Sequence, residues 1–311
     1  MRPFHFLADA STIVSGTELA ARARRAEQLG YHALVMPDHL LEQLSPVVAM
    51  ATVAAATSTL RVSGFVLNND LRHPAVLAQD IASIDVLSGG RVDVAIGAGW
   101  NKPEYDAIGI GFDPTPVRQA RLAEAIAVLK GSFSGAAFSF AGEHYTITDH
   151  TGWPVPVQRP HPPFFIGGGG RRTLSLAGRE ADIVGLAPRI RTNGTVDARS
   201  LTLAGTREKL DWVREAAGVR FDALELNTYP AGPVVVTDDL RGAVRQAIDR
   251  LGSRGAELTE QEVLDSPHLF IGSVDRLIEK FLQLREELGI SSILLGDVGE
   301  LEPVLERLSG S

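Results

Sequence analysis

The chain has no cysteine among its 311 residues. Disulfides, thiolate nucleophiles and zinc–thiolate sites are therefore excluded, and redox chemistry would need an external cofactor. No run of about eighteen apolar residues occurs, and the N-terminal stretch MRPFHFLADAS holds no apolar segment of signal-peptide length. A soluble, cytoplasmic protein with no membrane partner is expected. Thirty basic residues against thirty-eight acidic ones leave a net charge of −8 and no basic tract, which argues against a nucleic-acid partner. There is no G-x-G-x-x-G fingerprint, no G-x-x-x-x-G-K-[ST] loop and no G-x-S-x-G elbow. No His/Asp/Glu spacing suggests a metal site, so none is expected.

What is present is ordinary globular composition, 44% hydrophobic and 22% charged, with ample material for a large core. The stretch RVDVAIGAGWNKPEY (91–105) organises the rest. Val92, Val94, Ala95 and Ile96 form an apolar run broken only by Asp93, which reads as a strand buried on both faces in a parallel sheet. It ends at Gly97-Ala98-Gly99, where the lack of side chains lets something flat or anionic approach the backbone. The bland alternative is a tight turn with a core tryptophan at Trp100.

Strand and helix signals alternate along the chain. Strands are expected at 4–7, 33–36, 60–67 and from Arg91, with helices at 17–29, 46–57 and 74–87 between them. Thr17 and Gly30 are expected to cap the first helix, and Pro74 opens the third. A helix at 116–129 follows. The rhythm then breaks at 131–163, with a hairpin near 137–147 and a proline-rich stretch. This insertion is expected over the barrel mouth. Strands return at 164–166, 182–186, 224–228 and 290–295, with helices at 172–178, 207–217, 240–251, 259–264, 273–288 and 300–308. Eight strands alternating with helices is the count of a single (β/α)8 TIM barrel spanning 1–311; an open doubly wound sheet is the alternative.

In such barrels the active site lies at the strand C-terminal ends. That selects Asp38 and His39, then Asn68, Asn69 and Asp70 with Arg72 and His73 beyond, then Gly97–Trp100, then the glycine run 167–170 with Arg171 and Arg172. His39 suits acid–base work because an imidazole titrates near neutrality; the alternative is a structural histidine bonded to a carbonyl. His73, held extended by Pro74, reads as structural. The glycine run entering a helix offers free N–H groups and a positive helix end, an anion site; a hinge is the alternative.

The segments AEQLGYHALVMPDHL (26–40), RHPAVLAQDIASIDVLSGGRVDVAIGAGWNKPEY (72–105) and PHPPFFIGGGGRRTLSLAGREADIV (160–184) resemble the luciferase-like monooxygenase superfamily. They look most like its branch of oxidoreductases that use the deazaflavin coenzyme F420, over residues 4–308. The resemblance implies a (β/α)8 barrel with insertions at its C-terminal mouth, a small-molecule substrate and a homodimer. It implies catalytic roles for His39 and Asp38, with Asp38 also against the cofactor. Gly64, Phe65, Leu67, Asn68, Gly97, Ala98 and Gly99 would border the ring, with a non-prolyl cis peptide at Gly64–Phe65. Gly169, Gly170, Arg172 and Thr173 would grip the phosphate. Trp100 stands where sugar-phosphate dehydrogenases of this branch place a glutamate, which argues against glucose-6-phosphate and leaves the proton donor open. Trp100 and Glu104 would then border the substrate. The implied reaction is hydride transfer between F420 and an organic substrate. The rivals are an FMN-dependent two-component monooxygenase of the same fold and a non-catalytic flavin-binding barrel.

Overall fold

The computed structural model of the protein describes residues 2–191, 194–299 and 301–311. Its strands are β1 (His5–Asp9), β2 (Ala33–Met36), β3 (Arg61–Gly64), β4 (Leu67–Asn68), β5 (Val92–Gly97), β6 (Phe138–Ala141), β7 (Thr146–His150), β8 (Phe164–Gly168), β9 (Ile183–Leu186), β10 (Glu225–Thr228), β11 (Val235–Val236), β12 (Ile271–Gly272) and β13 (Ile290–Gly296). Around them run α1 (Gly16–Gln28), α2 (Pro46–Ala56), α3 (Pro74–Ser88), α4 (Lys102–Ile108), α5 (Thr115–Phe133), α6 (Arg171–Glu180), α7 (Leu203–Ala217), α8 (Leu240–Gly252), α9 (Glu260–Asp265), α10 (Val274–Leu288) and α11 (Glu302–Leu308). The main sheet has the order β3-β2-β1-β13-β10-β9-β8-β5-β4, and β3 also pairs with β5. The order thus returns to its start. The expected eight strand positions close into a (β/α)8 barrel, with β3 and β4 sharing one position. The pairs β1–β13, β10–β13, β10–β9, β3–β5 and β4–β5 are all parallel, in keeping with strands joined by right-handed crossovers.

The chain separates into two compact units. One comprises the residues up to Asp9, Arg25–Ala33 and Ile166–Ser311; the other comprises Ala10–Arg24 and Leu34–Phe165. In the second unit, β5 is buried at every position, as its apolar sequence predicts. After Gly89 takes the left-handed conformation that stops α3, Arg91 reaches back to gather loose carbonyls. It donates to Ser88 O at 2.8 Å, Leu60 O at 2.7 Å, Ala54 O at 2.8 Å and Thr57 O at 3.1 Å. One guanidinium therefore closes the C-terminal ends of α2 and α3 and the entry to β3. The insertion is fastened by two carboxylates. Glu124 of α5 accepts the N–H groups of Glu143, His144 and Tyr145 in the β6–β7 turn. Asp85 of α3, fully buried, accepts the N–H groups of Val157 and Gln158.

Several elements differ from the sequence reading. Ser15, not Thr17, begins α1: Ser15 Oγ accepts the Glu18 N–H at 3.2 Å and Glu18 accepts the Ser15 N–H at 2.9 Å, a reciprocal capping box. The third strand is interrupted into β3 and β4, and the non-prolyl cis peptide between them is Phe65–Val66, one residue beyond the expected Gly64–Phe65. Helix α4 was not anticipated, nor was the short parallel pair β11–β12. The expected last helix began at Glu300, which lies outside the described residues; α11 covers Glu302–Leu308. Among the described residues, no helix is long and apolar enough to cross a membrane.

In the first unit, Lys209 of α7 is only 1% exposed. Burial pulls its ammonium from 10.5 down to about 7. The unfolded chain therefore binds this proton between pH 7 and 10.5 while the folded chain does not, so stability rises with pH across that window. The slope from this one group is at most about 1.4 kcal/mol per pH unit. Urea midpoints recorded from pH 7 to 10 should climb in the wild type and climb less in Lys209→Met; equal slopes would contradict the assignment. Replacing Arg91 by Met should cost about 2–4 kcal/mol of unfolding free energy, because four carbonyls lose a charged donor. A urea-unfolding loss below about 0.5 kcal/mol would show that water replaces the guanidinium.

Candidate functional site

The C-terminal end of β2 delivers two adjacent polar residues that point to different partners. Asp38 is buried, and both its oxygens are engaged. Arg72 donates to Oδ2 at 2.5 Å and to Oδ1 at 3.1 Å, and the Asn68 N–H donates to Oδ2 at 2.8 Å. The forked guanidinium matches the carboxylate, so the charge is tolerated in a buried place. The pairing ties β2 to β4 and to the residues before α3. His73, as expected, is structural: its Nδ1 accepts the Ala75 N–H at 3.2 Å and caps α3.

His39 does not pair with Asp38. Its Nδ1 lies 2.8 Å from Glu104 Oε1, with the histidine side chain 25% exposed and the glutamate 4%. Glu104 is held from the other side by Asn101 Nδ2 on Oε1 and by the Leu40 N–H on Oε2 at 3.3 Å. The Trp100 ring stands edge-on to the imidazole, with centroids 5.5 Å apart, and Trp100 is itself 63% exposed. A carboxylate that accepts from Nδ1–H fixes the tautomer, leaving the Nε2 lone pair available. Glu104 thus faces inward, a point the sequence left open.

The turn after β5 is built by Tyr105 and Arg118. Buried Tyr105 places its hydroxyl 3.0 Å from both Asn68 Oδ1 and Asp70 Oδ2. Burial pushes that phenol up to about 12, and the adjacent Asp70 carboxylate adds to the shift. Asp70 is answered in turn by Arg121 at 2.8 Å. Arg118, also buried, donates to Ala98 O at 2.9 Å and to Gly99 O. Gly99 has φ 71°, and a side chain there would collide with the Tyr105 hydroxyl and the Asn68 amide. At Gly97 the same space holds Val66, and at Gly64 it holds Leu67. These glycines admit the chain's own side chains, so any ligand contact at Gly97 or Gly99 would be through backbone, and at Ala98 through backbone or its methyl group. Leu67 and Asn68 are buried, Gly64 is buried, and Phe65 is half-buried with its ring 5.2 Å from that of Phe165.

The glycine run lies in the other unit. Gly170 is the N-cap of α6, no side chain caps this helix, and nothing lies within 4 Å of where a Gly170 side chain would be. Gly169 is pressed against backbone: a Cβ there would come within 2.7 Å of Arg189 Cα and 2.8 Å of Pro188 O. A Cβ at Gly168 would instead meet the Thr173 side chain, at 2.7 Å from its methyl group. Arg171 is paired with Glu215 at 2.8 Å, while Arg172 is exposed at the helix start. An uncapped helix end, a bare glycine and a free-standing cation fit a phosphate group.

The sequence reading missed Tyr105 and the pairing of Glu104 with His39. The signal for α4 was available: Pro103 in a first turn, Lys102 and Asp106 at i,i+4 spacing, and Gly109 as a left-handed stop. Reading that helix puts Glu104 and Tyr105 one residue apart on its buried side.

Residues 1–292 match the family described as luciferase-like monooxygenase. The FMNH2-dependent dimethylsulfone monooxygenase of Pseudomonas putida is 33% identical over 208 residues, 64% of this chain and 54% of that protein. The F420-dependent glucose-6-phosphate dehydrogenase of Kineococcus radiotolerans is 34% identical over 173 residues, 53% of this chain and 50% of that protein. The chain spans about half the length of these curated relatives. The coenzyme F420-dependent tetrahydromethanopterin reductase of Methanopyrus kandleri has the same fold, with a TM-score of 0.76 at 18% identity over 99% of this chain and 98% of that one. With most of its length matched and the barrel order in agreement, the chain belongs to the luciferase-like monooxygenase family.

Proposed function

We propose that the chain is an oxidoreductase that exchanges hydride between a deazaflavin, coenzyme F420, and a small organic substrate, with His39 as its acid–base group. The observation that carries this reading is the 2.8 Å contact between His39 Nδ1 and the buried Glu104 carboxylate. Relatives named for F420 and for FMNH2 support a cofactor of the deazaflavin or flavin class. The bare start of α6 suits its phosphate, assigned to Gly169, Gly170, Arg172 and Thr173. When bound, a deazaflavin supplies a carbon centre that accepts or donates hydride in place of the flavin nitrogen.

The chain's own residues then orient and move a proton. Glu104 holds the Nδ1 proton, so His39 takes or gives a proton at Nε2. Trp100, edge-on to the imidazole, restricts its rotation and offers an apolar face to substrate. Asp38 acts as a positioning carboxylate: its bonds to Arg72 and the Asn68 N–H hold Leu67 and Asn68 in the place assigned to the ring edge. Gly64, Phe65, Gly97, Ala98 and Gly99 complete that assignment through backbone and the Phe65 ring. An FMN-dependent monooxygenase is the second reading, favoured by the identity to the dimethylsulfone enzyme.

Absorbance titrations with F420 and with FMN should show tighter binding of F420; tight FMN binding with none of F420 would overturn the cofactor assignment. Across a substrate panel with F420, His39→Ala should cut kcat by roughly 10²–10⁴-fold and leave cofactor affinity unchanged, with Glu104→Gln losing a smaller part. Full turnover in His39→Ala would remove the histidine from the chemistry.

A further inference from the structure

The buried Lys209 stands apart from the residues given roles above, yet its partners lead to the glycine turn. Its Nζ donates to Ala187 O and to Ser200 O, each at 2.7 Å, and lies 3.2 Å from His268 Nε2. His268 is fully buried, and its Nδ1 faces Thr228 Oγ1 at 3.0 Å and Tyr229 O at 3.3 Å. Burial and the nearby Lys209 charge hold the imidazole well below its usual value, so it is neutral. With Nδ1 as the donor, Nε2 is an acceptor; when Lys209 is protonated its three hydrogens meet three acceptors, and as the neutral amine it still donates to the two carbonyls. A buried ammonium is retained only when its donors are matched in this way.

Two of those acceptors bracket the segment after β9. The Ala187 N–H donates to Gly168 O at 3.0 Å, inside the glycine run. The Arg189 N–H donates to Ser200 Oγ at 2.8 Å, beside the second carbonyl that Lys209 holds. Pro188 and Arg189 are the backbone against which Gly169 lies. Lys209 therefore fastens both ends of the wall behind the glycine turn.

We propose that Lys209 is a positioning residue for phosphate recognition, fixing the backbone at Ala187–Arg189 and at Ser200 so that the turn at Gly168–Gly170 presents its N–H groups to the phosphate of the cofactor. This rests on the assignment of that phosphate to the start of α6. A hydrogen-bonding turn is effective only when held within a fraction of an ångström, and the wall supplies that constraint.

The test compares ligands with and without phosphate: FMN against riboflavin, and coenzyme F420 against its phosphate-free deazaflavin. Dissociation constants are read from fluorescence or absorbance for the wild type, Lys209→Met and Lys280→Met. Lys280 is a second lysine whose acceptors, Leu264 O and Leu269 O, belong to another segment. In the wild type the phosphate-bearing ligand should bind at least about tenfold more tightly. Lys209→Met should erase about tenfold of that advantage while leaving the phosphate-free ligand unchanged; Lys280→Met should keep it. An advantage retained in Lys209→Met, or lost equally in Lys280→Met, overturns the positioning role. A wild type with no phosphate advantage overturns the underlying phosphate assignment instead. If Lys209→Met does not fold, Ser200→Ala removes the bond to the Arg189 N–H; a reduced advantage supports the proposal and an unchanged one overturns it.

Discussion

Everything at the end of β2 depends on satisfying one buried carboxylate. Asp38 is buried, and Arg72 and the Asn68 N–H satisfy its oxygens. That requirement draws β4 against β2 and leaves the Asn68 amide to meet the Tyr105 hydroxyl. Tyr105 in turn fixes α4, which presents Glu104 to His39. The dyad is therefore held twice, through His39 next to Asp38 and through Glu104 next to Tyr105. Removing Arg72 alone would leave the Asp38 charge unpaired in a low-dielectric place, a cost far larger than the loss of a surface pair.

The other unit solves a similar problem with a cation. Lys209 is matched by two carbonyls and a neutral imidazole, and those carbonyls belong to the stretch that backs the glycine turn. In both units a buried ionisable group orders irregular backbone that strand pairing alone does not reach. The glycines play the complementary part. Gly99 and Gly169 are small because the chain's own atoms need the space, Tyr105 and Asn68 in one case and Arg189 backbone in the other.

The barrel was legible because strand–helix alternation is a local pattern repeated along the chain, and β5, buried at every position, is its clearest instance. His39 and the glycine run were legible from their place at strand ends. The His39–Glu104 pair was not, because it joins residues sixty-five apart through a seven-residue helix too short to stand out by periodicity. Asp38 and His39 are both selected by their place at the strand end, yet neighbours in extended backbone point to opposite sides, and they meet different partners. Lys209 reads in the sequence as one polar position of an amphipathic helix; only its long-range acceptors show that it is buried. Thr17 gave way to Ser15 because the reciprocal bonds of a capping box outweigh a lone threonine.

The central claim is that Glu104 sets the tautomer of His39 so that Nε2 is free for proton transfer. Nitrogen-15 NMR of the histidine rings, with His39 assigned by substitution, reads this directly. At a pH where the ring is neutral, the account predicts a proton on Nδ1 and an unprotonated Nε2, with the preference weakened in Glu104→Gln. A neutral His39 carrying its proton on Nε2 in the wild type would contradict it.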